Sequence, residues 1–325
     1  MTDRLMLLDT ASLYFRAFYG VPDSIRRADG TPVNAVRGLL DMIARLTAEY
    51  DATHLVACWD DDWRPQWRVD LIPTYKSHRV AEEIADAPDV EVVPDALEAQ
   101  IPMIRRVLEL AGIAVVGAAE HEADDVVGTY ASHAQLPVDV VTGDRDLFQV
   151  VDDARQVRVI YTARGMKNLE VLTDAVVVDK YGVLPAQYAG YATLRGDSSD
   201  GLPGVAGIGA KTAASLLGEY GTLDGLLAAA ADAGSGLSAS LRSKLAAAAD
   251  YLAVAPAVVN VVRDLELPTP EQAGAKLHPV VGDSRTELET LATEWNLGGS
   301  VRRFLEALDR RTPAPDTRRP APNGS

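Results

Sequence analysis

The sequence lacks the raw material of several common kinds of site. Its single cysteine, Cys58, has no internal partner for a disulfide and reads as a buried thiol of a reducing compartment. That cysteine and the five histidines show no zinc-type spacing. No apolar run reaches the roughly 18 residues of a membrane-spanning helix. The opening MTDRLMLLDT mixes charges and has no signal-peptide core. Lysine is scarce, at positions 76, 167, 180, 211, 244 and 276 only, a bias that matches the Ala- and Arg-rich composition.

What is abundant is negative charge. The 325 residues carry a net charge of −16. Taken as an average this argues against nucleic acid, because phosphate contacts need Lys and Arg. An average hides local clusters, however, and acids gathered at a metal site are offset by the cations they bind. The chain is 47% hydrophobic, enough for a sizeable core in one large or two smaller domains.

Short apolar runs at RLMLLD (4–9), THLVACWD (53–60), IAVVG (113–117), VDVVTGDRD (138–146) and VRVIY (157–161) read as strands. Helical periodicity separates them at VNAVRGLLDMIARLTAEY, at LEAQIPMIRRVLELAG and from residue 120 onward. This alternation predicts an α/β fold, a central and mostly parallel sheet flanked by helices. From about 185 to 311 the chain becomes Ala-, Leu- and Gly-rich and reads as a mostly helical region. The Pro-rich end, 312–325, reads as a disordered tail, leaving 1–184 as the α/β core.

The run EHEADDVVGTYA places Glu120, Glu122, Asp124 and Asp125 within six positions. Acids favour the first turn of a helix, where the macrodipole is positive, so helix capping explains the run by itself. The alternative is a divalent-cation site, since a hard cation neutralises crowded carboxylates. Other acids bear on the choice. Asp9 and Asp60 end predicted strands, and Asp144 and Asp146 sit just past another. Ligands of parallel sheets bind at the carboxyl ends of strands. Several segments therefore deliver carboxylates to one sheet edge, a donor set suited to Mg²⁺ or Mn²⁺. Such a site with two cations hydrolyses phosphodiesters by activating water and stabilising the attacking and leaving oxygens.

A further pair, Asp197 and Asp200, stands in LRGDSSDGLPGVAGIGAKTAASLL. A tight turn would point both at one ion, although Asp and Ser favour turns in any case. GVAGIGAKT misses a Walker A pattern by one residue, and no strand precedes it. A Gly-rich turn opening a helix still presents backbone N–H groups to phosphate without reading bases.

In this order LLDTASLYFRAF, WDDDWRPQWR, YKSHR, EADDVVG, TGDRDLFQ and GDSSDGLPGVAGIGAKTA resemble the 5′-nuclease family of 5′–3′ exonucleases and flap endonucleases, including the nuclease domain of bacterial DNA polymerase I. The likeness runs from about residue 4 to 310. It implies a helical arch over the active site (about 64–96) and a helix–two-turn–helix in the C-terminal helical region. It implies two or three divalent ions held by Asp9, Asp60, Glu122, Asp124, Asp125, Asp144, Asp146, Asp197 and Asp200. Lys76 and Arg79 match a basic pair at the base of the arch, suited to stabilising charge on the scissile phosphate, and Arg16 matches a basic residue near the first aspartate. Gly204, Gly207, Gly209, Lys211 and Thr212 would grip DNA, with K⁺ on the carbonyls of Leu202, Val205 and Ile208. The implied substrate is DNA with a 5′ flap or 5′ end, RNA-primed ends included, in primer removal and repair. The implied state is a monomer linked functionally to a DNA polymerase or ligase, in the bacterial cytoplasm on the nucleoid. No polymerase domain follows, so a free-standing nuclease is expected.

Departures from the family pattern are Thr10 for a usual glycine, Gly201 for a common asparagine, and the extra acids Asp61 and Asp62. The stretch 80–97 is longer and more acidic than usual. A non-catalytic DNA-structure-binding protein on the same fold is the alternative, but it would lack acids, and all nine positions are filled. A PIN-type ribonuclease would be shorter and lack the Gly-rich block.

Overall fold

A computed structural model describes residues 3–84 and 88–310 of the chain. Eight strands are present among them: β1 (Leu5–Asp9), β2 (His54–Cys58), β3 (Val80–Glu82), β4 (Val90–Glu91), β5 (Ala114–Val116), β6 (Val138–Thr142), β7 (Val157–Tyr161) and β8 (Glu170–Leu172). Six form one sheet in the order β5-β2-β1-β6-β7-β8. All its pairings are parallel except β7 with β8. The strands are near-continuously apolar because helices cover both faces. Along β1 the side chains alternate, Leu5 and Leu7 entering one core and Met6 and Leu8 the other.

The first half supplies six helices: α1 (Thr10–Gly20), α2 (Asn34–Glu49), α3 (Gln66–Leu71), α4 (Asp95–Glu98), α5 (Ile101–Leu110) and α6 (Ala123–His133). After the sheet come α7 (Asp174–Tyr181), α8 (Tyr188–Arg195), α9 (Ala210–Tyr220), α10 (Leu223–Ala231), α11 (Ala239–Ala247), α12 (Ala249–Val259), α13 (Gly282–Glu294) and α14 (Gly299–Asp309). α14 returns to the sheet layer, where Phe304, Leu305 and Leu308 join the core that holds α2.

From β1 the chain crosses to β2 on one side, while β6 pairs on the other. The order therefore reverses between β1 and β6, and a crevice opens beyond the carboxyl ends of those strands. Asp9 ends β1 and Thr142 ends β6, so residues 9 and 142–146 stand at its two lips.

Segment 64–96 departs from the expected helical arch. Its described residues form the short α3, one 3-10 turn at Ser77–Arg79 and the antiparallel hairpin β3–β4. Val80, Val90 and Val92 favour extended chain, and Pro94 bars continuation of a helix. Ile72 and Tyr75 pack with Ala192, Leu202, Ala255 and Val258, fastening this segment to the helical region. The tail 312–325 lies outside the described residues.

Candidate active site

The crevice is a polar cavity of about 230 Å³ lined by Asp9, Asp60, Glu122, Asp124 and Asp144, with Lys76 and Arg79 on its wall. A narrow extension brings Asp146 and Asp200 to the same acids. Carboxylates from five places in the chain thus meet at the strand ends.

Each is placed by local structure. Asp9 caps α1, accepting from the Ser12 amide at 3.1 Å, and its other oxygen accepts from Thr142 Oγ1 at 2.6 Å. Burial, reinforced by the charges of Asp60 and Asp144 and opposed by these hydrogen bonds, raises its pKa to about 7. Asp60 accepts from the Ala123 amide at 2.7 Å, at the amino end of α6. Burial, with Glu122 and Asp125 nearby, holds its pKa above the usual range. Asp124 is driven well up by burial and then by Asp9 and Asp144. Asp146 is driven well up by burial and then by Asp144, Asp200 and Asp197. Asp200 is raised by burial against the pull of Lys76.

Glu122 behaves differently. It accepts from Tyr75 Oη at 2.7 Å and from Lys76 Nζ at 2.5 Å, with Arg68 Nη1 at 3.2 Å. Burial acts upward on it, but Lys76 and Arg68 outweigh burial and lower its pKa. Lys76 is itself buried, on a backbone at φ +48°, and its amide donates to the Asp200 carbonyl. Arg79 donates to Asp200 at 3.1 Å and to the Ser199 carbonyl at 2.9 Å. Arg16 does not line the crevice, but its Nη2 lies 3.2 Å from where a Cβ on Gly143, a crevice residue, would sit.

Two expected ligands stand apart. Asp125 is fully buried and lines neither the cavity nor its extension. Arg68 grips both its oxygens, at 2.7 and 3.0 Å, and the Val262 amide donates to it at 2.8 Å. Asp197 is held by Arg195 at 2.8 Å and by the Ser199 amide at 3.0 Å. Burial pushes Asp197 upward, yet Ser199, Arg195 and Arg145 together lower its pKa. Asp61 reaches Arg105 at 3.6 Å, and Asp62 turns to the Arg64 amide.

Arg68, Tyr75 and Glu91 are site residues that sequence reasoning passed over. Arg68 and Tyr75 lie inside the blocks already singled out. Only the fold shows that they meet Glu122, 54 and 47 positions away in sequence. Glu91, from the hairpin, enters the cavity wall.

The Gly-rich turn joins α8 to α9, bridged by Asp197 and Leu202. Gly209 caps α9, and Lys211 and Thr212 occupy its first turn, Lys211 exposed. The Gly207 carbonyl accepts from Lys244 Nζ at 2.9 Å. The carbonyls of Leu202 and Val205 accept from the amides of Asp197 and Ile208. Gly204 and Gly207 have positive φ. Gly201 is required as glycine here, because its φ is +71° and a Cβ would sit 2.0 Å from the Thr74 carbonyl oxygen.

Among the described residues no group of three or more His, Cys, Asp or Glu side chains could hold a metal ion as it stands. The donor chemistry nonetheless fits hard divalent cations. The donors are all carboxylate oxygens, Asp9 buried and Asp60, Asp124 and Asp146 half-buried, and desolvation with neighbouring acids raises the pKa of each, in the last three against the pull of Lys76.

Comparison with known proteins places this geometry. The model of the N-terminal resolvase-like domain of 5′-3′ exonucleases matches residues 4–182, and that of their C-terminal SAM fold matches 183–280. A 5′-3′ exonuclease of Streptomyces coelicolor is 57% identical over 93% of this chain and 99% of its own length. One from Mycobacterium tuberculosis is 48% identical over 95% of this chain and 99% of its own. The fold is shared with a bacteriophage T5 flap endonuclease solved as a pseudo-enzyme-product complex with DNA and metal ions, at a TM-score of 0.60 and 18% identity, over 94% of this chain and 99% of that one.

Proposed function

The chain belongs to the 5′–3′ exonuclease family, and from that premise we propose that it is a divalent-metal-dependent 5′ nuclease that cuts DNA phosphodiesters at 5′ ends and 5′ flaps. The observation that carries the reading is the meeting of crowded acids with Lys76 and Arg79 at the β1–β6 crevice.

Mg²⁺ or Mn²⁺, held by Asp9, Asp60, Asp124, Asp144, Asp146 and Asp200, would supply a nucleophilic water and charge stabilisation. The protein's own groups do the rest. Lys76 and Arg79 face the acids from the segment that precedes the hairpin, and they hold the scissile phosphate and offset its developing charge. Arg16 stands behind Gly143, beside the crevice. Arg68 and Tyr75 orient Glu122 and fix Asp125, so the amino end of α6 stays in place when Lys76 engages phosphate. The turn ahead of α9 binds duplex phosphates without reading sequence, through the amides after Gly209 and through Lys211. K⁺ on the carbonyls of Leu202, Val205 and Ile208 belongs to that same grip.

This chemistry suits removal of flaps and of RNA-primed 5′ ends in replication and repair, beside a polymerase and a ligase. No helix among the described residues is long and apolar enough to cross a membrane. The test is cleavage of a 5′-labelled flap duplex with and without Mg²⁺. Release of the flap only with Mg²⁺ is expected. Binding without cleavage at any divalent concentration would make the chain a DNA-structure-binding protein instead.

A further inference from the structure

A cavity of about 810 Å³ lies beside the acid crevice. It is bounded by α1 and by the turn that follows β7, and Ser12 and Phe15 line both cavities. In a chain of net charge −16, none of its lining residues is acidic, and three are cationic: Arg16, Arg164 and Lys167. None of the three has an ion-pair partner among the described residues. Arg16 is half-buried, its Nε lacks a hydrogen-bond partner among the described residues, and its Nη1 makes a long 3.5 Å contact with the Ala163 carbonyl. Arg164 and Lys167 stand exposed on a turn built by Gly165 at φ +86° and the 3-10 turn Met166–Asn168. Other surface arginines are paired with acids, as Arg106 is with Glu287 and Arg303 with Asp41.

We propose that this cavity binds the phosphorylated 5′-terminal nucleotide of the strand being cut, its terminal phosphate held by Arg16, Arg164 and Lys167. The proposal rests on the nuclease reading above and extends it to the identity of the strand end. A phosphodiester carries one charge, whereas a terminal phosphomonoester carries close to two at neutral pH, with more acceptor oxygens for a cluster of donors. Three uncompensated cations suit the second better than the first. Phe15, Tyr19 (72% exposed), Met42 and Met166 form an aromatic and thioether wall against which a base can stack in any sequence. The shared residues Ser12 and Phe15 make the two cavities neighbours. A nucleotide seated in this one therefore leaves its 3′-side phosphodiester at the acids, which is the bond a 5′–3′ exonuclease cuts.

The test is affinity, read in Ca²⁺ without turnover. Recessed duplexes that differ only in a 5′ phosphate or a 5′ hydroxyl are titrated with the wild-type protein and with an Arg164→Ala/Lys167→Ala variant. Both side chains are exposed, so the variant is expected to fold, which circular dichroism checks. The wild type should prefer the phosphorylated end by about tenfold, the scale of one charge-assisted contact, and the variant should lose most of that preference. Competition by dTMP separates the two sources of this chemistry. Displacement of the phosphorylated end shows that the cavity also accepts the free mononucleotide product, and a lack of displacement assigns it to strand ends alone. A wild type indifferent to the 5′ phosphate, or a variant that keeps the full preference, overturns the proposal. Failure of the wild type to cut a flap in Mg²⁺ would instead overturn the nuclease reading, and the affinity ratio would still be measurable.

Discussion

The acids of EADD have different jobs although they are neighbours. Asp124 is half-buried among carboxylates, while Asp125 is bonded to Arg68 and the Val262 amide. Neutralising each should therefore do different things. Asp146→Asn, which acts on the same charge cluster as Asp124, should abolish Mg²⁺-dependent cleavage and leave the Tm in EDTA unchanged or higher, because it removes one carboxylate from a crowded acidic cluster. Asp125→Asn should destabilise by about 3–5 kcal/mol, the scale of a broken buried ion pair. Thermal melts of both variants in EDTA decide this, and equal melting temperatures would remove the distinction. The two acids cannot be told apart in the sequence, since the partners that separate them come from residues 68 and 262.

Lys76 is a second case at this scale. A surface lysine would leave stability untouched on removal, but this one is buried and ion-paired with Glu122. Lys76→Ala should lower the single-turnover rate about 10²-fold or more, as loss of a transition-state charge stabiliser does. It should also lower the Tm in EDTA and tighten Mn²⁺ binding, because Glu122 loses a resident cation. Calorimetric titration with Mn²⁺ checks the last point, and weaker binding would contradict it.

At the scale of elements, the sheet and its flanking helices were legible because period and apolar runs report burial directly. β1, β2 and β6 lie where apolar runs end in acids, and Asp9, Asp60 and Asp144 could be read as strand-end groups for that reason. The acidic run divides between two settings. Glu122 and Asp125 form the capping box of α6, and Asp124 faces the crevice. The arch over 64–96 was implied by the resemblance alone; the described residues there hold the short α3, a 3-10 turn and the hairpin, where Val80, Val90, Val92 and Pro94 favour extended chain. The turn before α9 makes an element-scale prediction. Lys211→Ala should reduce the salt slope of log K for a flap duplex by roughly one, with no change in base preference. Identical slopes in Ca²⁺ would show that Lys211 is not a phosphate contact.

For the whole molecule, the governing fact is that a chain of net charge −16 sets two ion-paired basic residues, Lys76 and Arg79, into the wall of one acidic crevice. Without metal the crevice stores repulsion. Asp9, with a pKa raised to about 7 from an ordinary 3.8, binds its proton more tightly when folded. Its contribution to stability is therefore complete below about pH 4 and is lost as pH rises toward 7. A divalent ion that binds only the folded chain should reverse that loss. Melting temperatures across pH 4–8 should thus fall more steeply in EDTA than in Mn²⁺, and parallel curves would argue against a metal in the crevice.

The most direct test of the whole account is single-turnover cleavage of a 5′-labelled flap duplex by the wild type in Mg²⁺, in EDTA, and by Asp146→Asn in Mg²⁺. The account predicts rapid flap release in the first and none in the other two. Cleavage in EDTA, or near-normal turnover by Asp146→Asn, would contradict it.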